Sequence, residues 1–152
     1  MRGYYGIELS SSACVRFVRN GDMDGSEQEV FEDVRKRGIR YAYVDLSSPR
    51  VQGEILANQI GGVLTLEHAP YTHNHWVCFL DDLITLAHRE QGLVIVVDSA
   101  WLLLEGRRGE LFDLIEAFLV QFHHWLEQRK PCYLCLQMEP NRKLTSLFAP
   151  SG

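Results

Sequence analysis

The stretch LVIVV at residues 93–97 decides the fold of this chain. Five consecutive apolar residues, most of them β-branched, are typical of a strand that is covered on both faces by helices. Gly92 and Asp98 bound this run, which is far too short to span a membrane. We therefore expect a buried central strand here, with a sheet built around it.

The segments on either side alternate between strand and helix patterns. The predicted elements are a strand at 13–19, a helix at 27–37, a strand at 39–46, a helix from Pro49 to Gly61–Gly62, a helix from Asn74 or His75 to Gly92, a helix at 110–129 and a strand at 132–138. Strands separated by helices imply right-handed crossovers and parallel pairing. We predict an α/β fold in which helices flank a small, mostly parallel sheet. Three strands form its core, and extra N-terminal edge strands, one of them at 4–9, can extend it.

The chain of 152 residues has the length of one domain. We divide it into an N-terminal extension at 1–38 that packs on the same domain, a main part at 39–140 and a loose C-terminal tail at 141–152. A net charge of −5 argues against a general nucleic-acid binder and is compatible with a basic protein partner. We expect no direct nucleic-acid binding and no membrane association.

The first residues, MRGYYGIELSSSAC, lack the apolar core of a secretory signal, so we expect a cytoplasmic protein with reduced cysteines. Cys132 and Cys135 form a C-x-x-C pair, the spacing found in zinc and redox sites. In a strand, residues three apart point to opposite faces, so this pair does not form half of a metal clamp. We predict two core cysteines, with no metal and no cofactor.

The helix that starts near residue 75 has the clearest amphipathic pattern. Its predicted inner side consists of Trp76, Phe79, Leu80, Leu83, Leu86 and Ala87, and its predicted outer side of Asp81, Asp82, Thr85 and Arg89. A loop with a tyrosine and two histidines precedes it, and Asn74 or His75 can cap its first turn.

The segments PYTHNHWVCFLDDL (70–83), GLVIVVDSAW (92–101) and LEQRKPCYLCLQ (126–137) together resemble the barstar family of intracellular ribonuclease inhibitors. The family motif has a tyrosine, a short polar loop and a helix that carries two aspartates. Tyr71 takes the tyrosine place, Asp81 the second aspartate and Leu83 the closing leucine. Trp76 opens the helix, and Val77 stands where the family has its first aspartate. The resemblance covers roughly residues 39–138.

The resemblance implies a barstar-like sheet and a non-catalytic inhibitor that blocks a toxin. The toxin is expected to be a ribonuclease with a basic active-site cleft, in which carboxylates take the place of RNA phosphates. The predicted partner-binding residues are Tyr71, Thr72, His73, Asn74, His75, Val77, Asp81, Asp82, Thr85 and Glu127. Because Val77 is apolar, we expect a partner that differs from the secreted ribonucleases bound by the family.

Two other functions remain open from the sequence. The first is a metal-dependent hydrolase that uses His73, His75 and carboxylates, although the contiguous HNH tripeptide at 73–75 does not match the spread-out residues of HNH nucleases. The second is a general interaction domain whose working surface is formed by residues 1–38. No assembled catalytic motif is visible in the sequence.

Overall fold

The computed structural model describes residues 15–18, 27–48 and 54–139. In chain order, the elements are β1 (Val15–Val18), α1 (Glu27–Lys36), β2 (Ile39–Asp45), α2 (Leu56–Val63), α3 (His75–Arg89), β3 (Gly92–Asp98), a 3-10 turn (Ala100–Leu104), α4 (Arg108–Leu126) and β4 (Cys132–Gln137). The predicted strand at 4–9 and the predicted tail at 141–152 lie outside these residues.

The four strands in the described part of the chain form one parallel sheet in the order β1-β4-β3-β2. In the register, Val96 of β3 lies between Tyr43 of β2 and Cys135 of β4. Strand β3 is thus one of the two inner strands, with β4, and the five residues of its LVIVV run are all buried. The predicted α/β fold is confirmed, and β1 adds one N-terminal edge strand beside β4.

Each face of the sheet has its own apolar core. Leu93, Ile95 and Val97 point to the face covered by α2, α3 and α4, whereas Val94 and Val96 point to the face that also holds Val34 of α1. The two cysteines of β4 follow the same alternation, because Cys132 lies in the first core and Cys135 in the second. This confirms the prediction that their side chains point to opposite faces.

Helix α2 differs from its prediction at both ends. It begins at Leu56 rather than near Pro49, and it continues through Gly61 and Gly62 to Val63; residues 49–53 lie outside the described part. The backbone N–H of Leu56 donates a 2.8 Å hydrogen bond to Oε1 of Glu110. A carboxylate of α4 therefore satisfies a free donor at the start of α2, a tertiary cap that no local pattern indicates. Within the described ranges, no helix combines the length and apolar character needed to cross a bilayer.

Candidate functional site

Residues 64–74 join α2 to α3 and lead into the predicted contact surface. The backbone N–H of Tyr71 donates a 2.6 Å hydrogen bond to Oδ1 of Asn58, and the Asn58 amide donates one of 3.3 Å to the Tyr71 carbonyl. Gly61 permits this close approach, since a Cβ there would lie 3.0 Å from the Cβ of Ala69 and 3.3 Å from the Tyr71 ring. The segment is thus fastened to α2 before α3 begins.

A buried carboxylate fastens the same segment to α3. Asp82 is only 4% exposed. Its Oδ2 accepts hydrogen bonds from the Tyr71 hydroxyl at 2.8 Å and from the His68 backbone N–H at 3.1 Å, and its Oδ1 lies 2.7 Å from Nδ1 of His68. The prediction that Asp82 shares the solvent side with Asp81 is wrong.

The helix geometry explains the error. Asp82 follows Phe79 by three residues and precedes Leu86 by four, so it lies at the border of the apolar stripe. The segment that precedes α3 covers the border of the stripe on which Asp82 lies. Leu80, on the opposite border, is only half-buried although it was predicted to face inward.

The carboxylate of Asp82 is the main cause of the pKa shift of His68 and a secondary cause of that of Tyr71. The hydrogen bond from His68 to Asp82 raises the pKa of the imidazole above 6.5, and the charge of Asp82 adds to this. Burial opposes the rise, while the nearby carboxylates of Glu67 and Asp81 support it. Burial also raises the pKa of Tyr71 far above its ordinary value, and the hydrogen bond to Asp82 reinforces that rise.

The other residues predicted around the start of α3 form an outward surface, which we call the α3 face. It consists of Thr72, His73, Asn74, His75, Val77, Asp81 and Thr85, of which only His75 is half-buried while the others are exposed. Within α3, Val77, Asp81 and Thr85 follow at four-residue steps and make one ridge. The side chain of Val77 is 60% exposed, so this ridge presents one apolar group and one carboxylate in adjacent turns. The fold therefore brings these predicted residues together.

Tyr71 and Asp82 do not belong to this surface. Tyr71 is 5% exposed, and its ring packs in the core on the α3 side of the sheet. The structure therefore places both side chains behind the α3 face, where they can support it but cannot present a charge to a partner.

Two predicted details of the helix start are also corrected. Asn74 occupies the position before α3 with a left-handed φ of 47°, but its side chain makes no capping hydrogen bond. Its carbonyl instead accepts a 2.9 Å bond from the backbone N–H of Cys78. Trp76 is half-buried rather than fully inside, with its ring edge-to-face against Phe79 at a centroid distance of 5.5 Å.

Glu127 lies far from the rest of the predicted set. Helices α3 and α4 lie side by side with their C-terminal ends together. His88 in the last turn of α3 and His124 in the last turn of α4 have ring centroids 6.2 Å apart. Glu127 follows α4 at that end, whereas the α3 face begins at the other end of α3, roughly 20 Å away at 1.5 Å per residue. It is exposed but does not join the surface.

The metal-hydrolase alternative needs a group of ligands around His73 and His75. Within residues 15–18, 27–48 and 54–139, no group of three or more His, Cys, Asp or Glu side chains is arranged to hold a metal ion. His73 lies 3.1 Å from the hydroxyl of Thr72 through its Nδ1, a contact between two exposed neighbours.

Sequence reasoning missed two residues that hold the site together, namely Asn58 and His68. Their contacts with Tyr71 and Asp82 bridge 13 and 14 positions, which lies beyond the spacing of any helical or strand pattern. The one available signal was Asp82 at the edge of the apolar stripe of α3, since a buried carboxylate there needs a polar partner from another segment.

The fold and the site together define a small α/β domain with an exposed helix face that is supported from behind by a buried carboxylate. Comparisons of the chain with protein-family models, with curated proteins and with solved structures found no match.

Proposed function

We propose that this chain is a non-catalytic inhibitor that acts in the cytoplasm as an immunity protein or antitoxin, and that its target is a toxin with ribonuclease activity. The observation that carries the proposal is the ridge of Val77, Asp81 and Thr85 on a helix whose start is fastened by buried Asp82. The resemblance of residues 39–138 to the barstar family points to the same class.

The charge of the α3 face is suited to such a target. A ribonuclease holds phosphate anions and therefore lines its cleft with cationic side chains, which pair strongly with carboxylates. Asp81 of the α3 face is exposed, as is Glu67 in the segment before α3, and both lie near enough to His68 to affect its pKa. Complementary charge of this kind accelerates encounter and makes association depend on salt.

The rigidity of the face supports tight binding. A loop that must be ordered on binding loses free energy for every side chain it immobilises. Here the hydrogen bonds of Asn58, Tyr71 and Asp82 already hold the residues before α3, so little ordering remains. In this proposal Tyr71 and Asp82 are positioning residues, and Asp81 makes the contact.

Val77 distinguishes the expected partner from the ribonucleases that the barstar family binds. An exposed valine one turn before Asp81 offers apolar contact where the family offers a second charge. We therefore propose a cleft with a cationic pocket for Asp81 and a neighbouring apolar surface for Val77.

The experiment measures binding to purified candidate ribonuclease toxins, taken from the genes that flank the gene for this chain. Asp81→Ala should weaken binding by at least about 2 kcal/mol, roughly thirtyfold in Kd, as expected for a central desolvated charge. The matched control is Asp113→Ala, which removes another exposed helical aspartate, on α4. It should leave the Kd within about threefold of the wild-type value.

Cleavage of a fluorescent RNA by the toxin gives the second measurement. The wild-type chain should abolish cleavage at equimolar ratio, whereas Asp81→Ala should require a clear excess. A toxin that binds the Asp81 and Asp113 variants equally well would contradict the proposed site, and a chain without effect on the toxin would contradict the proposed function.

A further inference from the structure

An exposed histidine lies beside the buried carboxylate that supports the α3 face. The side chain of His68 is 67% exposed. Asp82 holds this residue at two points, because its Oδ1 lies 2.7 Å from Nδ1 of the imidazole and its Oδ2 accepts a 3.1 Å hydrogen bond from the His68 backbone N–H. The imidazole is therefore held next to the α3 face while most of its surface stays in solvent.

The charged neighbours of His68 are carboxylates from two segments. Asp82 and Asp81 belong to α3, and Glu67 precedes His68 in its own segment. Consecutive Cα atoms are about 3.8 Å apart, so the Asp81 carboxylate lies roughly 10 Å from an imidazole that touches Asp82. The charges of Glu67 and Asp81 support the raised pKa of His68, after the larger effect of Asp82. Burial raises the pKa of Tyr71, the other titratable group at Asp82, so its hydroxyl is neutral wherever His68 titrates.

The exposed aspartate of this group is the residue to which the proposed function assigns the contact. Cations of the partner that approach Asp81 also come within reach of His68, and they raise the electrostatic potential at the imidazole. The protonated imidazole is repelled by these cations, whereas the neutral imidazole is not. Docking therefore disfavours the protonated form of His68, and by linkage protonation of His68 weakens docking by the same factor.

We infer that His68 makes binding at the α3 face proton-linked, so that the chain holds a cationic cleft more weakly while the His68 imidazole is protonated. This inference rests on the proposed function, because it requires a cationic partner at Asp81. The cations of the cleft lower the imidazole pKa in the complex relative to the free chain. The weakening is therefore complete below the pKa of the complex and absent above that of the free chain, which is raised above 6.5.

The carboxylates around His68 disfavour the opposite arrangement, in which the partner places an anionic group on the imidazole. Such a group would bind more tightly to protonated His68, but it would also approach the exposed carboxylates of Glu67 and Asp81, which repel it. Affinity that rises on acidification is thus the dependence that contradicts the inference.

The first experiment needs no toxin. NMR titration in about 10 mM salt, where the Debye length is about 30 Å, gives the imidazole pKa of His68 in three chains. These are the wild-type chain, Asp81→Asn and the matched control Asp113→Asn, which removes an exposed charge from α4. The pKa should be lower in Asp81→Asn than in the wild-type chain and unchanged in Asp113→Asn. Equal values in all three chains would overturn the inference, because sites without coupling do not affect each other's binding.

The second experiment measures the Kd for a candidate ribonuclease toxin at about pH 5.5 and about pH 9. His68→Asn keeps an amide donor near the position of Nδ1 and carries no charge at either pH. The wild-type Kd divided by the His68→Asn Kd should be near one at the higher pH and at least about threefold at the lower pH. Groups of the toxin that titrate in this range affect both Kd values alike. The matched control His123→Asn, at an exposed position in the last turn of α4, should follow the wild-type chain at both pH values.

The outcomes separate the inference from the proposed function. A ratio of Kd values that is the same at both pH values, or that falls below one at the lower pH, would overturn the inference and leave the inhibition of the toxin intact. Absence of binding at both pH values would contradict the proposed function. In that case the NMR titration still decides whether His68 and Asp81 are coupled.

Discussion

The phenolic hydroxyl of Tyr71 donates a 2.8 Å hydrogen bond to the carboxylate of Asp82, and the two side chains are 5% and 4% exposed. The bond joins the segment before α3 to the middle of the same helix. Because the carboxylate also accepts from the His68 backbone, this one side chain determines how the chain enters α3. These buried polar contacts therefore set the orientation of the α3 face relative to the rest of the protein.

Replacing the buried carboxylate should cost stability, whereas replacing its exposed neighbour should not. Asp82→Asn removes the charge from the hydrogen bonds with Tyr71 and His68, and we expect a loss of about 2 kcal/mol in the free energy of unfolding. Asp81→Asn changes the same chemical group on the solvent side and should stay within about 0.5 kcal/mol of wild type. Urea denaturation of the three proteins measures both values, and equal stabilities would contradict the role given to Asp82.

The His68 imidazole should titrate above pH 6.5. Its hydrogen bond to Asp82 favours the protonated form in the folded protein, so the raised pKa adds stability that is fully present below the unfolded-state value of 6.5. This contribution is lost as the pH rises through the folded-state pKa. NMR titration of the imidazole should give a pKa above 6.5 in the wild-type chain and a lower one in Asp82→Asn. An unchanged value in that variant would show that Asp82 is not the cause.

Glu110 should stabilise the start of α2 in its ionised form. Burial by itself would raise the pKa of this carboxyl, but hydrogen bonds from Arg107 and from the Leu56 backbone lower it below the ordinary value. The stabilisation is therefore present above the unfolded-state pKa and lost as the pH falls through the folded-state pKa. Glu110→Gln should cost about 1 kcal/mol at pH 7, because the site is partly open to solvent. The difference from wild type should shrink towards pH 3, and a constant difference would point to packing instead of charge.

The two aromatic residues of α3 should differ in their effect on stability. Phe79 is completely buried, so Phe79→Ala should cost about 3–5 kcal/mol through the cavity that it leaves. Trp76 is half-buried and loses less contact, so Trp76→Ala should cost about 2 kcal/mol despite the larger side chain. Thermal and urea unfolding of both variants measure the two losses of stability. A larger loss for Trp76→Ala than for Phe79→Ala would contradict this prediction.

The α/β fold was predictable from local patterns. The LVIVV run indicates a buried inner strand, and the alternation of strands and helices from Ile39 to Gln137 indicates parallel pairing. The helix at 75–89 was also predictable, because its apolar residues recur with the helical period. The start of α2 was not, since it depends on Glu110, which lies 54 positions away in sequence.

The sequence by itself determined the strands, the main helices and the exposed ridge of Val77, Asp81 and Thr85, because hydrophobic periodicity is a local property that decides which side of an element is buried. Only the tertiary structure decided that Asp82 and Tyr71 lie inside and that Glu127 is remote. These outcomes depend on which segment packs over a given flank of a helix. Residues at the border of an apolar stripe are compatible with either burial or exposure until a neighbouring segment covers them.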